Sequence, residues 1–197
     1  MLSICLFGDG IGEGFFDSKK GGWVSRLSRT FEAPNEELTI YNCSVSGDST
    51  REVLKRFKVE SGAREPDIII FALGVNDSWY FNNKKSQPNV SLEEFKKNIE
   101  SLISKAHEMD ANVTFIGPCN IDESKSMPVE WRPEVYYDNE NIKKYNAEIK
   151  NICKKHNIKF IETFDLLKQD DFSDGLHPNS KGHKKIFDKI LKEINLT

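Results

Sequence analysis

The chain lacks most of the features that would assign it to a broad class at once. Its 197 residues carry 28 basic and 31 acidic side chains, a formal net charge of −3, so no electrostatic footprint for nucleic acid or an anionic membrane is present. Long hydrophobic runs are absent. The apolar stretch Leu2 to Phe7 has no charged region before it and is far too short for a signal core or a membrane span, which predicts a cytoplasmic chain. Cysteine is scarce and scattered: Cys5, Cys43, Cys119 and Cys153 form no Cys-x-x-Cys pair, and buried free thiols are expected rather than disulfides. His107, His156, His177 and His183 show no close metal spacing. Asp170, Asp171 and Asp174 have Phe172 where a calcium loop needs a ligand, so no metal is expected.

Nucleotide signatures are missing as well. Gly8, Gly10, Gly12 and Gly14 recur at every second position, but Gly8-x-Gly10 is followed by Glu13 where a dinucleotide loop needs its third glycine. Gly10-x-Gly12 is followed by Phe15, and no Gly-Lys-Ser/Thr is found. The chain shows no repeat, low-complexity tract or linker either, and at this length with 38% hydrophobic residues it predicts a single domain over residues 1–197.

What is present is a rhythm. Five short apolar runs, Ile4 to Phe7, Leu38 to Cys43, Ile68 to Leu73, Val113 to Ile116 and Ile158 to Ile161, alternate with stretches of helical period. That order predicts an α/β fold with a parallel sheet covered on both faces, the nearly unbroken run Ile68 to Leu73 lying mid-sheet. Leu92, Phe95, Ile99, Leu102, Ile103 and Ala106 share one helical face, and Ser91 with Glu94 suggests a capping box at its start. Ser49 with Glu52 suggests another. Further helices are expected around Trp23, Leu27 and Phe31, around Ile142 to Cys153, and from about Ser180 onward. Only Ser78 to Val90 and Pro118 to Asn139 read as long irregular loops, a length often found in lids.

Open parallel sheets place their chemistry beyond the carboxyl ends of the strands, where Gly8-Asp9-Gly10, Ser46-Gly47-Asp48 and Gly74-Val75-Asn76-Asp77 should meet. Near the C-terminus, Asp174-Gly175-Leu176-His177-Pro178 puts a carboxylate three residues before an imidazole. Such an Asp can accept a hydrogen bond from Nδ1–H and leave Nε2 free as a base, although a surface loop would look the same. Gly47 offers an unshielded backbone N–H and Asn76 a side-chain amide, both suited to an oxyanion hole; taken singly, either is equally a turn residue. Trp79, Tyr80, Phe81, Met127, Pro128, Trp131, Arg132, Tyr136 and Tyr137 decorate the two long loops. They either pack those loops or contact a substrate, with Asp9, Trp79, Trp131 and Arg132 as the candidate contacts.

Taken together, Gly8-Asp9-Gly10-Ile11, Asn42 to Asp48, Gly74-Val75-Asn76-Asp77 and Asp174 to Pro178 resemble, in order and spacing, the four blocks of the SGNH (GDSL-like) hydrolase family. The resemblance implies a flavodoxin-like three-layer α/β/α sandwich with a central five-stranded parallel sheet, and hydrolysis of a small-molecule ester through an acyl-enzyme without metal or organic cofactor. It also implies His177 as general base, Asp174 as its partner, and an oxyanion hole from the Gly10 and Gly47 N–H groups and the Asn76 amide. The family's nucleophilic serine is expected at position 10, where this chain has glycine, which has no Oγ. Three readings of Gly10 stay open: a serine removed by design, a natural protein that binds an acyl or acetylated sugar ligand, and a hydrolase in which His177 activates water. Nothing in the sequence brings Ser44, Ser46 or Ser49 to that point.

Overall fold

The computed structural model describes residues 1–32, 37–83, 86–194 and 196. In chain order its elements are β1 (Leu2–Gly8), α1 (Gly10–Glu13), α2 (Gly22–Phe31), β2 (Leu38–Asn42), α3 (Thr50–Gly62), β3 (Ile68–Ala72), α4 (Val75–Ser78) and β4 (Tyr80–Phe81). There follow α5 (Leu92–His107), β5 (Asn112–Ile116), α6 (Glu123–Ser126), β6 (Val135–Tyr136), α7 (Asn139–Lys155), β7 (Lys159–Ile161), a 3-10 turn (Gln169–Asp171) and α8 (Ser180–Glu193). Five strands form one parallel sheet in the order β2-β1-β3-β5-β7, so the almost wholly apolar β3 is central, as its composition requires.

Side-chain alternation along the inner strands divides the core in two. Ile4 and Leu6 of β1 and Ile70 of β3 pack with Trp23 and Leu27 of α2 and Ile186 and Ile190 of α8. Cys5, Phe7, Ile69 and Phe71 point the other way, toward Val53 and Phe57 of α3, Phe95 and Ile99 of α5, and Tyr145 and Ile149 of α7. Because both faces are covered, neither β1 nor β3 could trade its apolar residues for polar ones without leaving them unpaired in a dry interior. This is the three-layer α/β/α arrangement implied by the sequence blocks. All four cysteines are buried free thiols.

Two expectations need correction. Ser49 and Glu52 form a complete capping box on α3, but at α5 only half of one forms: Ser91 accepts the Glu94 N–H while the Glu94 carboxylate takes both ends of the Arg51 guanidinium instead. A charge-assisted bidentate pair outcompetes a single bond to a backbone amide. The loops read as irregular are also partly ordered. Tyr80 and Phe81 pair antiparallel with Val135 and Tyr136, α6 lies between them in sequence, and Val75, Ile121, Val129, Val135, Tyr137, Ile142, Phe164 and Leu176 make a third apolar cluster beneath these loops. Two-residue strands carry too short a pattern to be seen in sequence. Residues 84 and 85 of the first loop lie outside the described residues.

Candidate active site

The carboxyl ends of β1, β2 and β3 open into a cleft of about 530 Å³, lined by Asp9, Gly10, Ser46, Gly47, Asn76, Trp79, Trp131, Arg132, Asp174 and His177 among others. Every site residue singled out in the sequence therefore faces one cavity. The reason is topological: three blocks directly follow the neighbouring strands β2, β1 and β3, and the last lies in the connection from β7 to α8, which returns to the edge where all five parallel strands end.

Asp174 organises the last block by itself. Its Oδ1 accepts the backbone N–H groups of Leu176 (3.0 Å) and His177 (2.7 Å), which folds the loop back on the carboxylate. Its Oδ2 lies 2.8 Å from His177 Nδ1 and also accepts Trp131 Nε1–H at 3.1 Å. Burial alone would raise the Asp174 pKa, but the bonds from the His177 ring and from the backbone outweigh it and hold the carboxyl at about 2. An ionised Asp174 fixes the proton on Nδ1 and leaves Nε2 as the acceptor. That Nε2 points at residue 10: a β-carbon built there would stand 3.3 Å from it.

Gly47 occupies the third position of a turn closed by the Asp48 N–H on the Val45 carbonyl (3.1 Å), and its φ of 86° is what such a turn demands there. A glycine meets this without strain and leaves its own N–H unscreened. Asn76 is held from three sides: its Oδ1 accepts the Tyr137 hydroxyl (2.8 Å), its Nδ2 donates to the Asp48 carbonyl (3.1 Å), and its own carbonyl accepts from Asn89 Nδ2 (2.8 Å). The Asp48 carbonyl, which can only accept, decides that Nδ2 faces it, the Tyr137 hydroxyl then donates to Oδ1, and the second Nδ2 hydrogen is left for a ligand. Asp9 caps α1 by accepting the Ile11 N–H at 2.9 Å; burial pushes its carboxyl up to about 6. Burial likewise raises Asp77, which accepts the Thr50 N–H and hydroxyl, to about 7.

The rim is aromatic. Phe15, Phe16 and Trp131 are 44%, 53% and 55% exposed, with ring centroids 5.3, 5.5 and 6.2 Å from that of His177. The two phenylalanines escaped sequence reasoning, although their position directly after the glycine-rich turn was a usable signal. Arg132 lies 5.3 Å from the Trp79 ring, and its Nε is paired with Glu134 at 2.9 Å, so it is less available to a substrate than its place among the candidate contacts suggested. Ser46 is the clearest departure from expectation. Its Oγ comes within 3.0 Å of the same β-carbon position at residue 10.

Fold and cleft together define a flavodoxin-like α/β/α protein with an Asp-oriented histidine at the carboxyl edge of its sheet. The chain belongs to the GDSL-like lipase/acylhydrolase family, whose model matches residues 6–185. It is similar to an acetylxylan esterase of Geobacillus stearothermophilus, 24% identical over 195 residues, covering 93% of this chain and 85% of that protein. Among solved structures, a lipase/acylhydrolase from Enterococcus faecalis superposes with a TM-score of 0.75 at 28% identity, over 98% of this chain and 95% of that one. The Geobacillus acetylxylan esterase superposes with a TM-score of 0.76 at 18% identity, over 100% and 98%, in a form crystallised as a catalytic mutant with histidine replaced by alanine. Further catalytic mutants of that esterase replace a serine and an aspartate, the aspartate three residues before the histidine. Among the described residues no helix is long and apolar enough to cross a membrane, and no group of three or more metal-ligating side chains occurs.

Proposed function

We propose that this site is that of a carboxylic ester hydrolase acting on acyl or acetyl esters, with His177 as general base and Asp174 as its orienting carboxylate. The Gly10 and Gly47 N–H groups and the Asn76 amide serve as oxyanion donors. The observation that carries this reading is the Asp174–His177 pair at 2.8 Å with Nε2 aimed at position 10. The same three-residue spacing separates the aspartate and histidine mutated in the acetylxylan esterase. The aromatic rim of Phe15, Phe16 and Trp131 suits an acyl chain or the face of a sugar.

Glycine at position 10 closes the family's usual route, in which a serine there becomes acylated, and makes the chain as it stands an impaired catalyst. Restoring the hydroxyl is therefore the test. The Gly10 backbone has no left-handed φ, and the nearest atom to a new β-carbon is the rotatable Ser46 hydroxyl, so Gly10→Ser fits the folded chain. Gly10→Ser is expected to show a burst and a rise in p-nitrophenyl ester turnover on the order of 10³-fold or more, since loss of a serine nucleophile costs roughly 10⁶-fold in serine proteases. A folded Gly10→Ser protein inactive across a panel of esters and thioesters would overturn the proposal. The other reading that Gly10 favours is a non-hydrolytic binder of an acyl or acetylated sugar ligand; it requires saturable binding by the unaltered chain with no acyl transfer to any residue.

A further inference from the structure

The glycines of the first turn and the serines of the neighbouring loop fit together. Beyond the end of β2 the chain keeps running beside β1, with the Cys43 N–H on the Leu6 carbonyl (2.8 Å) and the Val45 N–H on the Gly8 carbonyl (3.1 Å). Ser44 lies on this extended segment and Ser46 at the second position of the Val45–Asp48 turn, and both hydroxyls stand over the glycine-rich turn. They point at Gly8, Gly10 and Gly12. Ser44 Oγ is 2.9 Å and 2.4 Å from where β-carbons on Gly8 and Gly12 would stand, and Ser46 Oγ is 3.0 Å from that of Gly10. A side chain at position 12 would overlap the Ser44 hydroxyl, and one at position 10 would press on the rotatable hydroxyl of Ser46. The every-second-residue glycines, whose spacing does not match a dinucleotide loop, thus have a physical counterpart in Ser44 and Ser46.

We infer that Ser46 is the nucleophile of this chain, delivering from the β2–α3 loop the hydroxyl that residue 10 lacks. This rests on the ester hydrolase reading above. Ser46 Oγ and His177 Nε2 abut one point, the β-carbon position of residue 10, at 3.0 and 3.3 Å from it, and the exposed Ser46 side chain can turn about its Cα–Cβ bond. The backbone of Ser46 is tethered while its side chain is exposed to the cleft: Glu13 Oε2 accepts the Ser46 N–H at 2.9 Å, which holds the residue over the turn. The next residue is Gly47, whose N–H is the candidate oxyanion donor. In other serine hydrolases too, the residue after the nucleophile supplies such an N–H. Ser44 is no rival, because its hydroxyl is buried between Gly8 and Gly12.

In the reaction Ser46 Oγ forms a bond to the ester carbonyl carbon while its proton passes to His177 Nε2. The oxyanion collapses, the carbon–oxygen bond to the alcohol breaks, and His177 protonates the departing alkoxide. A water deprotonated by His177 then attacks the acyl-Ser46 ester, and the released Ser46 alkoxide recovers that proton from His177 as the acid leaves.

The test is covalent labelling by a p-nitrophenyl alkylphosphonate, read by intact mass and peptide mapping together with p-nitrophenolate release. One adduct per chain is expected on the peptide bearing Ser46. It should be absent from Ser46→Ala and form about 10²-fold or more slowly in His177→Ala. Gly10→Ser should move the adduct to position 10. An adduct that persists in Ser46→Ala, or that maps elsewhere, overturns the role of Ser46. No adduct on the unaltered chain with ready labelling of Gly10→Ser overturns Ser46 while sparing the ester hydrolase reading; no adduct on either overturns both.

Discussion

The loop from Asp174 to Pro178 and the turn from Gly8 to Gly14 line one cleft and are built in opposite ways. In the loop both carboxylate oxygens of Asp174 are occupied twice, by Leu176 N–H and His177 N–H on one side and by the His177 ring and Trp131 on the other. In the turn side chains are missing at Gly8, Gly10 and Gly12, and hydroxyls from the next loop stand against those positions. The difference teaches that the orientation of His177 is a local property, set within four residues, whereas what stands against residue 10 depends on which remote neighbour fills the space.

The comparison can be broken most sharply by removing the base. In a Gly10→Ser background, His177→Ala is expected to lower kcat by about 10⁴-fold or more. A loss below tenfold would show that the wired loop is structural and not part of the reaction. Next in size, Asn76→Ala should cost roughly 10² to 10³ in kcat with KM little changed, because its amide acts on charge that develops only in the transition state. Equal losses in binding and turnover would place Asn76 among the packing residues of its loop.

The smallest effect is on stability and sharpens the contrast between carboxylates. Asp174 is depressed to about 2 in the fold, so its contribution is complete above the unfolded value of about 4 and is lost as pH falls toward 2. Asp9 and Asp77 are raised by burial to about 6 and 7. They hold protons that the unfolded chain has already released, so stability falls as pH rises from about 4 to 7. Calorimetry across this range should show the upper limb flattened by Asp77→Asn and the lower limb flattened by Asp174→Asn, by about 2–4 °C in Tm per kcal/mol involved. An upper limb unchanged in Asp77→Asn would mean that Asp77 titrates normally in the fold.

Legibility followed range. The Asp174–His177 pair could be read because its partners are three residues apart, and the Ser49–Glu52 cap for the same reason. The bonds that hold the Asn76 amide reach Asp48 and Tyr137, 28 and 61 residues away, and left no trace in spacing; nor did the pairing of Tyr80 and Phe81 with Val135 and Tyr136. Arg132 reads as a substrate contact in sequence because spacing alone does not single out Glu134, two residues on, as its partner. Ser46 was the largest omission. Its signal was there, in Ser44-x-Ser46 beside Gly8-x-Gly10-x-Gly12, but two period-two patterns have no relation until two strands are known to be neighbours.

By itself the sequence determined the layered α/β fold, the edge at which the chemistry gathers, and the histidine with its carboxylate. Those follow from hydrophobic periodicity, parallel connection and hydrogen bonds inside one short loop. Only the tertiary structure decided that a hydroxyl from the next loop stands against the bare position at residue 10. That placement follows from the register of β2 against β1, in which Leu6 lies opposite Asn42, so that the chain past β2 sets Ser46 over Gly10. Register between strands remote in sequence is fixed by the packing of both sheet faces at once, and no local pattern encodes it.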